Sequence, residues 1–170
     1  MRFFLGLLMA AFVISGHASE QAVVGFWASE TSIFEIRVEN ETLSGVVVAL
    51  RNPNYLAEEG TGRTGLPRTD DNNPEDEMQA RPIMGLSMFS EYVYENKSWQ
   101  GKIYDPESGN TYQSKMKINA DEELEIRGYI GMPMFGRTAK FMPLSRCSEA
   151  IIEMLPQIKI ESPCMVLQES

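Results

Sequence analysis

Histidine is almost missing from this 170-residue chain: there is a single one, His17. It falls in the first 18 residues, MRFFLGLLMAAFVISGHA. There Arg2 precedes an apolar run from Phe3 to Ile14, and Gly16 and Ala18 form a small-residue exit. That order of charge, apolar run and small residues is the pattern of a secretory signal peptide, cleaved near Ala18. The run is shorter than the ~20 residues a membrane span requires. The mature chain is therefore expected to be periplasmic or secreted and to contain no histidine. This excludes a Ser-His-Asp triad, a Cys-His dyad and any zinc site built on histidine.

Cysteine and positive charge are also scarce. Cys147 and Cys164 are the only cysteines. In an oxidising compartment two cysteines read as one disulfide. The alternative, a reactive thiol, has no base nearby except Arg146. The chain holds 15 Lys+Arg against 24 Asp+Glu, a net charge of −9. Without Arg2 the balance is 14 against 24, or −10. A nucleic-acid binder needs a net basic face, so that class is excluded, and docking on anionic lipid is disfavoured for the same reason. No other apolar stretch is long enough to span a bilayer, so no transmembrane span is expected in the mature chain. What is present, 43% apolar residues in a length suited to one domain, is ordinary for a globular protein.

Short alternating segments dominate. Strands are expected at Val24–Ser29, Ile33–Glu39, Leu43–Leu50, Met84–Tyr94, Trp99–Tyr104, Thr111–Ile118, Leu124–Tyr129 and Arg137–Met142. In Thr111–Ile118, Tyr112, Ser114, Met116 and Ile118 oppose Thr111, Gln113, Lys115 and Lys117, the period of two of a half-buried strand. Val46, Val47 and Val48 suggest burial on both faces of the third strand. Asp105–Asn110 and Asn119–Glu122 are strong turn signals. Strands recurring with tight turns imply an antiparallel sandwich or closed barrel.

Two regions break the pattern. Residues 51–81 carry Pro53, Pro67, Pro74, three glycines and the acidic run Asp70–Glu77. A loop this long is either a functional lid or a solvated excursion. In the tail, Cys147, Ala150, Ile151, Met154 and Leu155 share one helical face. Ser145 is placed to cap that helix and Pro156 to end it. An extended tail follows, tied back by Cys164.

Several constellations bear on chemistry. Gly131–Thr138 nearly matches a phosphate-binding loop, but Pro133 removes an amide and a strand follows where a helix N-terminus is needed. A glycine-rich bend is the better reading. Asp70–Glu77 offers oxygen ligands for calcium without the spacing of a calcium loop, so a solvated turn is the default. Glu35, Asp105 and Glu125 are carboxylates on or near strands, and nothing in the sequence pairs them for glycosidase-type chemistry. No catalytic residue, metal site or cofactor is assigned. Aromatic strand residues line either an ordinary core or an apolar cavity. Trp99, Tyr104, Tyr112, Arg127 and Tyr129 are the candidate ligand-binding residues, an inward arginine being able to pair with a ligand carboxylate.

Three blocks carry a family resemblance: Asp71–Pro74 leading to Arg81–Leu86; Gly101–Tyr112; and Leu124–Gly131 with Phe135–Thr138. With Gly25-Phe26-Trp27 they resemble a family of secreted bacterial domains of unknown function, number 2147. The resemblance implies an all-β fold, an eight-stranded antiparallel lipocalin-like barrel over residues 19–144, with a long loop near 51–81. Residues 145–170 then form an extension with a short helix and the Cys147–Cys164 bridge. It further implies structural roles for Gly25, Trp27 and Arg137, with Arg137 on the last strand stacking on Trp27. The implied function is non-catalytic binding of a small hydrophobic or amphipathic ligand. The alternative is an envelope interaction module with a filled barrel.

Overall fold

A computed structural model describes residues 22–39, 42–160 and 164. The expected leader and most of the tail beyond Ile160 lie outside the described residues. Eight strands follow in order: β1 (Gly25–Ala28), β2 (Ser32–Glu39), β3 (Thr42–Leu50), β4 (Phe89–Glu95), β5 (Ser98–Asp105), β6 (Asn110–Ile118), β7 (Leu124–Tyr129) and β8 (Arg137–Pro143). Each pairs antiparallel with the next, and β8 returns to β1 through Trp27↔Pro143 and Ala28↔Met142. The sheet is a closed eight-stranded barrel.

Period-two alternation sorts the side chains into two cores. The inner core holds Trp27, Phe34, Ile36, Leu43, Phe89, Tyr92, Trp99, Met116, Leu124 and Ile126. Its rings meet edge-on: Phe34 lies 4.8 Å from Phe141 and 5.3 Å from Phe89, and Tyr94 lies 5.4 Å from Trp99. Glycine makes room for this filling. A Cβ on Gly45 would come within 1.7 Å of the Phe89 ring, and one on Gly101 within 2.6 Å of Tyr92. One half of the barrel is thus a packed interior.

The outer core forms where Ile33, alternating outward from Phe34, meets Ala28, and a bulge on β3 at Val48 brings Ala49 to the same outside face. The two alanines let a helix approach closely. That helix, α1 (Glu149–Met154), buries Ala150, Ile151 and Met154 there, with Leu155 following in a 3₁₀ turn. The expected apolar face is therefore the buried one. Its cap is Ser148, whose hydroxyl accepts from the Ile151 amide at 3.3 Å, and not Ser145. Ser145 lies one turn too early, because Leu144–Arg146 closes its own 3₁₀ turn and Cys147 then takes φ 50°. Cys147 is disulfide-bonded to Cys164.

The strand expected from Met84 starts at Phe89. Gly85 adopts φ 85°, and only the bridge Val46↔Ser87 precedes β4. The burial expected on both faces of β3 is uneven: Val47 is buried inside, while Val46 and Val48 are half-buried outside. Among the described residues no helix is long and apolar enough to cross a membrane.

Candidate binding site at the barrel mouth

The β1–β2 turn, the long β3–β4 segment, the β5–β6 hairpin and the β7–β8 loop share one end of the barrel. The long segment is neither a free lid nor a solvated excursion. It carries two 3₁₀ turns, Ala57–Glu59 and Asp76–Met78, and bridges Asn54↔Pro67 and Thr69↔Pro82. Asp70, expected in a solvated turn, has no solvent exposure. Its Oδ2 accepts from Arg81 Nε and Asn73 Nδ2, each at 2.8 Å, and its Oδ1 accepts from the Tyr104 hydroxyl at 2.7 Å. Arg81 also lies 5.3 Å from the Tyr104 ring centre. Beside this, Asn72 Nδ2 donates to the Glu107 carbonyl at 2.9 Å. Gly109, at φ 68°, passes so close to Asn72 that a Cβ would lie 1.8 Å from its carbonyl oxygen. The loop is bolted to the β5–β6 hairpin, which accounts physically for the Asp-Asn-Asn-Pro, Arg-Pro and Tyr-Asp-Pro blocks.

Inside the mouth, direct cross-strand partners share a face. Gly101, Ser114, Gly128 and Arg137 form one such row. Ser114 is buried and hydrogen-bonded to the buried Tyr92 hydroxyl, so the row faces inward. Burial pushes the Tyr92 phenol well above the ordinary tyrosine range. One layer nearer the rim stand Ile103 and Tyr112, half-buried, 3.8 and 3.7 Å from where a Gly128 Cβ would be. Along the inner face of β8, Phe141 packs on Phe34, whereas Ala139 and Arg137 are exposed. Strand β1 ends at Ala28, so it does not continue beside that half of β8. The mouth is lined by small and apolar groups, with one cation, Arg137, among them.

The five candidate ligand residues do not converge there. Tyr112 lines the mouth, its hydroxyl 3.2 Å from Ser108 Oγ. Trp99 lies in the packed core beside Tyr94. Tyr104 holds the long loop, and burial followed by the Asp70 carboxylate raises its pKa. Arg127 braces the β7–β8 loop, donating to the Pro133 carbonyl at 2.7 Å, the Met134 carbonyl at 3.1 Å and Thr138 Oγ1 at 2.9 Å. Tyr129 is buried against Gly136.

The expected Arg137–Trp27 stack does not form. Trp27 pairs with Pro143 and Arg137 with Gly128, six positions apart on β8. At ~3.3 Å per residue that is roughly 20 Å. The Trp27 indole donates instead to the Val23 carbonyl at 2.8 Å. Gly25 does carry a structural demand, with φ 129° at the start of β1. Of the three carboxylates, Glu35 is bound by Arg37, Asp105 accepts from Ser108 in its hairpin, and Glu125 faces Lys117. Gly131–Gly136 is a bend closed by the 3₁₀ turn Pro133–Phe135.

Two depressions stand out elsewhere. One of about 140 Å³ lies among Val23, Tyr94, Trp99 and Ile118 at the packed end. The other, about 620 Å³, is outside the barrel between Phe26, Val46 and Val48 and the segment Gln157–Ile160. The sequence marks Asp70 only as part of an acidic run; its place at the centre of this buried network is not legible there, because its partners lie three, eleven and 34 positions away.

No curated protein matches the chain. Among solved structures, a lipocalin-family protein, HP1028 from the human pathogen Helicobacter pylori, superposes with a TM-score of 0.59 at 19% identity. The superposition covers 86% of this chain and 96% of that one. At that identity the likeness is one of fold, and it makes this barrel lipocalin-like. A family profile described as an uncharacterized protein conserved in bacteria (DUF2147) matches residues 25–142, from the glycine that opens β1 almost to the end of β8. The chain belongs to the DUF2147 family.

Proposed function

We propose that this protein is an exported, non-catalytic barrel that takes up a small apolar or amphipathic molecule at its mouth. The lipocalin-like fold supports a ligand-binding barrel, and the observation that carries the reading is the inner face of β8. Inward positions are normally closed over by neighbours, yet Ala139 and Arg137 stand open to water above Phe141. Apolar surface left open at the barrel mouth favours a ligand that covers it, at ~25 cal/mol per Å² buried. Arg137 suits an acidic head group, and Tyr112 offers a hydroxyl to orient it.

A second reading, an interaction module without a ligand, is favoured by the aromatic filling of the other half and by the larger depression lying outside the barrel. Native mass spectrometry of protein purified without detergent separates the two. A co-purifying mass, or saturable uptake of a fluorescent amphiphile weakened about tenfold by Tyr112→Ala and Arg137→Gln, supports the carrier. No bound mass and no saturable uptake leaves the module.

A further inference from the structure

Strand β8 outruns its neighbour β1. Trp27 and Ala28 pair with Pro143 and Met142, and the chain then turns away at Ser29, whose hydroxyl accepts from the Thr31 and Ser32 amides at 3.2 and 3.1 Å. On its other side β8 pairs with β7 from Arg137↔Gly128 to Phe141↔Leu124 without a register shift. Among the described residues, Arg137–Phe141 have no strand on the β1 side, and no turn or loop hydrogen-bonds to their main chain. Arg137, Thr138, Ala139 and Lys140 are all exposed, the longest exposed run within any described strand. Every second residue of an antiparallel strand turns both its N–H and its C=O to one side, so this window offers main-chain groups to water. No proline or bulge interrupts it, and the Lys140 charge is taken up by Glu123 at 3.1 Å. An unblunted sheet edge is a template for one more strand.

The edge is complementary to itself. Directly opposed residues share a face, so a two-fold axis between two such edges falls on a residue. Placed at Ala139, it sets Ala139 opposite Ala139, Thr138 opposite Lys140 and Arg137 opposite Phe141. The whole window then pairs and no like charges oppose each other. The neighbouring registers fail. Centring on Lys140 opposes two ammonium groups and sends Arg137 to Pro143, which β1 already holds. Centring on Thr138 sets Lys140 against Gly136, where the 3₁₀ turn Pro133–Phe135 ends.

In the Ala139 register, Gly136 of one copy reaches the level of Met142 of the other, the residue paired with Ala28. The β7–β8 loop is thereby carried towards the other copy's β1–β2 turn. That loop holds four large apolar side chains in water: Ile130 is 77% exposed, Met132 61%, Met134 71% and Phe135 76%. It is braced, since Arg127 holds the Pro133 and Met134 carbonyls. At ~150–200 Å² for a large side chain, these exposures offer roughly 500 Å² of apolar surface per copy. With the paired strand residues this approaches the ~800 Å² per partner of a stable interface.

We propose that two copies of the chain join β8 to β8, antiparallel about Ala139, so that each barrel wall continues into the other. The second copy takes the edge of β8, whereas the proposed ligand site uses its inner face, and the pairing needs no ligand.

Sedimentation velocity of the purified protein over ~1–200 µM is expected to show a reversible dimer. Ala139→Arg sets two guanidinium groups across the axis and is expected to weaken that dimer about tenfold or more. Ala139→Cys is a second probe, because opposed residues lie ~4.5–5.5 Å apart at Cα, within disulfide range. Mild oxidation is expected to link this variant into a covalent dimer and to leave Gln113→Cys, exposed on β6, unlinked. The cross-linking result stands whether or not Ala139→Arg folds. A monomer at every concentration overturns the proposal and leaves the edge to an extended segment of another protein. A dimer that Ala139→Arg leaves intact and Ala139→Cys does not link also overturns it, since the copies then meet elsewhere.

Discussion

Tyr104 on β5 donates its hydroxyl proton to Asp70, 34 residues earlier, at 2.7 Å, and the accepting carboxylate has no exposure to solvent. The contact joins the long loop to the barrel wall. A buried carboxylate left without its donors bears a large desolvation penalty, so the network stands or falls as a unit. Asp70→Asn is expected to lower stability by about 2–3 kcal/mol, roughly 5–10 °C in melting temperature for a domain of this size. Tyr104→Phe costs less, and a double-mutant cycle gives a coupling of about 1 kcal/mol or more. Strict additivity in thermal melts would mean the two residues do not act together.

Acid sensitivity follows from the neighbouring carboxylate. Asp71 accepts from Arg63 at 2.5 and 2.8 Å, Tyr55 at 2.6 Å and Thr69 at 2.7 Å. The Arg63 guanidinium, with Tyr55 and Thr69 adding to it, holds the Asp71 carboxyl well below its ordinary value of 3.8. A depressed carboxyl contributes its stabilisation fully above its unfolded pKa and loses it as pH falls below that value. Glu59, held down by Arg68, and Glu123, held down by Asn119 and Lys140, act in the same sense. Urea midpoints are expected to vary little through these groups from pH 7 to 5 and to fall below about pH 4. The gap between wild type and Asp71→Asn narrows over that fall. A gap that stays constant to pH 3 rules out Asp71 as a source of the acid limb.

The bridge between Cys147 and Cys164 closes a loop across a separation of 17 residues and ties the tail to the outer core. Loop-closure entropy for that length gives about 3 kcal/mol. Reduction, or Cys147→Ser with Cys164→Ser, is expected to lower the melting temperature by roughly 6–12 °C while leaving the barrel's circular dichroism in place. Two titratable thiols in the unreduced, denatured protein would show that the bridge does not form.

Arg137 and Trp27 separate two roles that the resemblance joined. Trp27 is 6% exposed, and its indole is bonded to Val23. Trp27→Ala is expected to cost about 3–5 kcal/mol. Arg137 is exposed at the mouth, so Arg137→Ala changes stability by no more than about 0.5 kcal/mol. Its effect is expected in the proposed uptake of acidic amphiphiles. Equal losses of melting temperature in both variants would restore Arg137 to a structural role.

Much of the barrel was legible along the chain. Alternation in Thr111–Ile118, the Asp-Pro-Glu-Ser-Gly-Asn turn and the helical face of Ala150, Ile151, Met154 and Leu155 are local patterns, and a strand's or helix's period is a local property. The site was less legible. Trp99 and Tyr112 look alike as strand aromatics, yet one fills the packed half and the other lines the mouth. Position along the barrel axis depends on register, which no single strand encodes. The acidic run misled for a related reason: seven neighbouring polar residues look solvated until a distant tyrosine and arginine are brought to one of them.

By itself, then, the sequence determined the class of fold and set the expectation for the chemistry. A chain whose one histidine lies in its first 18 residues cannot run the common hydrolytic triads once those are removed, and period-two strands with tight turns close into a barrel. Tertiary structure alone decided which half of that barrel is filled and which is open. It also decided that Asp70 is buried, that Arg137 stands at the mouth away from Trp27, and that Ile130–Phe135 is held out in water. Each of these depends on which strands and loops meet in space, and burial is a property of that meeting.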